Sequence, residues 1–80
     1  MATMETIRTE QPVKNTFHNL VQTLSVKLDS ASRYTLYQED ARKDGWNDCA
    51  EIFGRFAEKE TKMIDELVSC LEKHAGDSRP

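Results

Sequence analysis

Long apolar stretches are missing from this sequence: nowhere do 18 apolar residues run together, so no membrane-spanning helix is expected. The opening residues, Met1-Ala-Thr-Met-Glu-Thr-Ile-Arg-Thr-Glu10, contain no apolar segment of the length a secretion signal needs, which makes a soluble cytoplasmic protein the expectation. Basic clusters are missing too. No four basic residues adjoin, and 14 acidic against 11 basic residues leave a net charge of −3, whereas nucleic-acid binding calls for a clustered basic face. Neither nucleic acid nor membrane is an expected partner. Absent as well are a nucleophile elbow, a phosphate loop, a Cys-x-x-Cys pair and a His-rich cluster, so no hydrolase, kinase or dithiol redox site can be read and an enzyme is not the expectation.

Cysteine is scarce. Cys49 and Cys70 both fall in one helical segment, and at 1.5 Å per residue they stand about 31 Å apart, far beyond the roughly 7 Å that a disulfide tolerates between Cα atoms. They are read as two buried free thiols, with an interchain thiol sensor as the alternative. Glycine and proline are scarce as well, three and two in 80 residues, and their positions divide the chain. Residues 1–11 are polar and aperiodic and read as a flexible arm ending at Pro12, a residue suited to the first turn of a helix. From about residue 13 to 43 nothing interrupts a three-four recurrence of apolar residues that includes Phe17, Leu20, Leu24, Ala31, Tyr34 and Ala41. This predicts a first helix. Residues 44–46 supply the break, with Gly45 able to close a helix in the left-handed conformation and Asn47 and Asp48 suited to starting the next. A second helix is predicted over about 46–74, and 76–80 read as a short tail.

A turn this short makes the helices antiparallel neighbours, so the predicted fold is an all-α two-helix hairpin spanning 12–75. A chain of this size without disulfides has a marginal core, and two helices bury each apolar stripe on only one side. The remedy is to pair two hairpins into a four-helix bundle. A homodimer or larger homo-oligomer is therefore expected, with Phe17, Leu24, Phe53, Phe56, Met63 and Leu67 in the dimer core. The stripe also carries polar residues. The three-four count passes through Lys27 and Gln38 on helix 1 and through Glu60 and His74 on helix 2, and with the turn near residue 44, Lys27 and Glu60 fall at one level. An unpaired core charge costs several kcal/mol while a hydrogen-bonded pair roughly breaks even, so a Lys27–Glu60 salt bridge is predicted; the competing placement leaves Lys27 at a flank with its amine in water.

The segment from Ser32 to Met63, with Arg33-Tyr34-Thr35, Ala41-Arg42-Lys43-Asp44-Gly45-Trp46, Ala50-Glu51-Ile52-Phe53 and Ala57-Glu58-Lys59-Glu60 in this order, resembles the first helical hairpin of rubrerythrins in the ferritin-like superfamily. The resemblance implies half of a diiron four-helix bundle. It departs from the family at the metal: the first-helix glutamate position holds Lys27, the Glu-x-x-His place reads Glu60-Thr61-Lys62-Met63, and a further glutamate position holds Arg55. Of these ligands Glu60 alone remains. The resemblance thus implies a degenerate site in which the Lys27–Glu60 pair replaces the metal, with no cofactor. It also implies a core tyrosine at Tyr34 whose hydroxyl meets Glu60, or else water or backbone.

The function expected is a non-catalytic, homo-oligomeric structural, regulatory or partner-binding module, its protein partner not named by any residue. The alternative is an iron-binding ferritin-like protein, of ferroxidase or diiron oxidase or peroxidase type, whose site assembles across the dimer from Glu60 with Glu39, Glu58 or His74. Cys70 and His74 could hold zinc only with two more ligands from a second chain, and they read better as a thiol and a helix-terminal imidazole. Glu58 and Lys62 are expected to pair on the solvated face of helix 2.

Overall fold

The computed structural model describes residues 12–79, so the arm expected over 1–11 lies outside the described residues, as does Pro80. Two helices account for nearly all of them: α1 over Asn15–Lys43 and α2 over Asn47–His74, followed by a 3-10 turn over Ala75–Asp77. No strand occurs among the described residues.

Pro12 does not enter α1. The helix begins three residues later, and its first bond runs from the His18 N–H to the Lys14 carbonyl at 3.0 Å. At the other end the uninterrupted run stops where glycine permits a positive φ, 76° at Gly45. The Gly45 N–H donates to the Arg42 carbonyl (3.0 Å) and the Trp46 N–H to the Ala41 carbonyl (2.9 Å), the bond pair of a Schellman motif. Two carbonyls that α1 would otherwise leave bare are satisfied, and the chain reverses within three residues. Trp46, not Asn47 or Asp48, takes the N-cap place of α2 and caps nothing with its side chain. Asp48 instead accepts the Cys49 N–H at 2.9 Å and sets a negative charge against the positive end of the helix dipole.

The helices face each other through small residues near the turn and larger ones beyond. Ala41 and Ala50 are the buried apolar side chains among the described residues, at 8% and 5% exposure. Gln38 bridges them to the next turn: its Nε2 donates to the Ala50 carbonyl at 3.1 Å and lies 2.7 Å from where a Cβ on Gly54 would stand. On α1 the half-buried positions Phe17, Leu20, Leu24, Lys27, Ala31, Tyr34 and Gln38 follow the three-four count. On α2 the less exposed face runs through Ala50, Phe53, Ala57, Glu60, Ile64 and Leu67, and Phe56, Met63 and His74, counted on the same stripe, fall outside it. The small side chains of Ala50, Gly54 and Ala57 let α1 settle on them, turning Phe56 and Met63 to the edge.

The tail expected beyond residue 75 folds back across the open end of the hairpin. The Lys14 N–H donates to the Ser78 carbonyl at 2.7 Å, and Lys14 Nζ meets Asp77 Oδ1 at 2.8 Å. The hairpin is therefore tied at both ends, and no described helix is long and apolar enough to cross a membrane.

Candidate functional site

Lys27 and Glu60 sit near the middle of α1 and α2, and the antiparallel register brings them level. Lys27 Nζ lies 3.3 Å from Glu60 Oε1, a charge-assisted contact made across the hairpin within one chain. Glu60 is 8% exposed, and its second oxygen, Oε2, is shut off from water with no hydrogen-bond partner. A carboxylate accepts through both oxygens, so half of this group's capacity is unspent in a place where desolvation is costly. Lys27 keeps 30% of its side chain exposed and holds further N–H donors.

Tyr34, one helical turn pair from Lys27, makes no hydrogen bond to Glu60. Its ring is held in an aromatic cluster instead: edge-on to Phe56 with centroids 5.6 Å apart, stacked on Phe53 at 6.4 Å, and edge-on to Tyr37 at 6.4 Å. Tyr37 closes the group on Phe53 at 5.6 Å. These geometries bring together rings from both helices on one face of the hairpin. Below the cluster, toward the open end, the same face hollows. One cavity of about 350 Å³ is lined by Thr23, Lys27, Met63, Glu66, Leu67 and Cys70. A second, of about 240 Å³, adjoins it through Cys70 and reaches Phe17, Leu20, His74 and Asp77.

The possible iron ligands do not converge in one chain. Glu39, Glu58 and His74 are exposed while Glu60 is buried. His74 stands about 21 Å from Glu60 along α2, and Glu58, two residues away, points to the opposite side of the helix. Among the described residues no three His, Cys, Asp or Glu groups are placed to hold a metal ion. With an ammonium beside Glu60 and a thioether at Met63, the side chains gathered around Glu60 in one hairpin do not fit a diiron centre. Arg55 is exposed, and Glu58 and Lys62 make no ion pair. Long exposed side chains gain too little from such a pair to be held in one geometry.

Both thiols are free and partly buried. Partial burial, and then the neighbouring Asp48 carboxylate, push the Cys49 thiol above its ordinary value, which disfavours the thiolate. The Lys14 ammonium, by hydrogen bond and by charge, holds the exposed Asp77 carboxyl below the usual aspartate value. The Lys14, Asp77 and Ser78 clasp and the Gln38 bond to Ala50 are the features that periodicity alone does not reveal. The small residues Ala50, Gly54 and Ala57, spaced four and three apart, were the available signal for the second of these. Comparison of the chain with protein-family models, with curated proteins and with solved structures finds no match.

Proposed function

We propose that this chain is a non-catalytic, rubrerythrin-like and ferritin-like helical hairpin whose copies pair into a four-helix bundle, serving as a structural, regulatory or partner-binding module. In that bundle the Lys27–Glu60 pair takes the place that iron holds in diiron relatives. One observation carries the reading: among the described residues no large side chain is fully buried, while Phe56, Met63, Tyr37, Leu28 and Val21 all remain substantially exposed. Fully burying each such side chain is worth about 1.5–3 kcal/mol, and a hairpin alone forgoes roughly half of it. A second copy is the simplest source of that burial for a chain whose buried residues, among those described, amount to two alanines and a glutamate.

Light scattering and sedimentation at micromolar concentration test the reading. A dimer or a multiple of it is expected; a stable monomer of 9.2 kDa would reject the assembly. Metal analysis and an iron titration test the rest. Stoichiometric tight iron with oxidase, peroxidase or ferroxidase turnover would overturn the non-catalytic role.

A further inference from the structure

We propose that residues 1–11 fold back along the hairpin from Pro12 and lay Ile7 in the smaller, and Met4 in the larger, of the two cavities that adjoin at Cys70. The segment covers the open-end half of the aromatic face of its own chain. It leaves Tyr37 and Phe56, on the turnward half, to a second copy and does not depend on one.

The groove is preformed and apolar. Phe17, Leu20 and Leu67 are half-buried along it, and Met63 stays 45% exposed at its turnward end. Lys14 and Asp77 line the smaller cavity, and the bonds from Lys14 to Asp77 and Ser78 hold the start of the described chain at that mouth. The backbone bends at Pro12 and Val13, so the residues before them do not continue the axis of α1.

Spacing selects the occupant. Residues 1–11 have no three-four or alternating pattern, but they repeat every third residue: Met1, Met4 and Ile7 are apolar, and Thr3, Thr6 and Thr9 follow at the same interval. A period of three belongs to the polyproline II conformation, whose rise of about 3.1 Å per residue sets every third side chain on one edge, about 9 Å apart. The adjoining backbone favours that conformation. Lys14 has φ −59° and ψ 143°, and Gln11, preceding proline, is steered away from the helical region. The cavities match the interval. About seven residues of α1 and five to six of α2 separate the middles of their linings, which helical rise converts to about 8–11 Å. Reach is sufficient too. The five residues from Pro12 to Ile7 span about 15 Å and the eight to Met4 about 25 Å, whereas the cavities lie about 6 and 16 Å from the level of Lys14. Glu5, next to Met4, then comes beside Lys27, which lines the larger cavity and holds N–H donors beyond the one given to Glu60.

Cysteine scanning reads the register. In the full chain carrying Cys49→Ser, Cys70 is the one native thiol left and lies where the two cavities meet. Met4→Cys and Ile7→Cys should each bridge to it under mild oxidation, giving a fast-running monomer band on a nonreducing gel. Glu5→Cys and Arg8→Cys, off the docked edge, should bridge about tenfold less. Equal bridging at all four positions, as a loose tether gives, or bridges formed between chains, would overturn the docking. A second readout needs no new thiol. Met4→Asp with Ile7→Asp in the natural chain should raise the rate at which iodoacetamide alkylates Cys70 by about tenfold, because the groove is then open at all times, and leave the rate at Cys49 unchanged. An unchanged rate at Cys70 would equally overturn the docking. Light scattering on the same samples decides the assembly separately and leaves this result as it stands.

Discussion

Lys27 and Glu60, 33 positions apart in the chain, meet at 3.3 Å between the midpoints of two antiparallel helices, and Glu60 is the one charged side chain buried among the described residues. Removing either partner leaves the other in a poor environment, but not equally. Lys27→Met strands a buried carboxylate and should cost about 1–3 kcal/mol in chemical denaturation, and should weaken the proposed dimer as well. Glu60→Gln should cost less, because Lys27 is already part in water. Replacing both by methionine should recover most of the loss, since an apolar pair of similar volume needs no donors. Unchanged stability and assembly in Lys27→Met would remove the structural role assigned to the pair.

Gln38 occupies the space that a side chain on Gly54 would need. Gly54→Ala gains about 1 kcal/mol of helix propensity but dislodges Gln38 from the Ala50 carbonyl, a bond worth about the same. The single substitution should be close to neutral in a denaturant titration. In a Gln38→Ala background the obstruction is gone, and Gly54→Ala should then stabilise by about 1 kcal/mol. Additive behaviour across this cycle would contradict the close approach.

Phe56 and Leu36 are both exposed in one hairpin, at 40% and 58%, yet only Phe56 belongs to the aromatic face. Leu36 lies two residues from Tyr34, on the far side of α1. If the chain pairs as proposed, Phe56→Asp should convert the dimer to monomer and Leu36→Asp should leave it intact, both read by light scattering. Equal effects would move the interface elsewhere.

The Asp77 carboxyl is held below the ordinary aspartate value by Lys14. A carboxyl depressed on folding contributes fully at neutral pH and loses its contribution as pH falls from the ordinary aspartate range through the lowered value. Acid titration followed by NMR should therefore release the 3-10 turn over Ala75–Asp77 while α2 persists, and Asp77→Asn should show the released state at neutral pH. Since the pair is exposed, the effect on global stability should be small.

The hairpin was legible in the sequence because local chemistry decides it. Gly45 stands alone between two uninterrupted periodic runs, and a positive φ there both ends α1 and reverses the chain. The level of Lys27 and Glu60 follows from that one position, since an antiparallel register leaves no freedom once the turn is placed. Rotation of each helix about its own axis is another matter. The three-four count put Phe56 and Met63 inside, and the small side chains of Ala50, Gly54 and Ala57 turned them to the edge, because steric closeness between helices is a pairwise property that no single periodicity contains. Tertiary structure likewise decided that Tyr34 stacks among rings and leaves Glu60 Oε2 without a donor, and that Asp77 and Ser78 fasten the open end to Lys14. Contacts between groups so far apart in the chain depend on where packing leaves them, which only the folded hairpin determines.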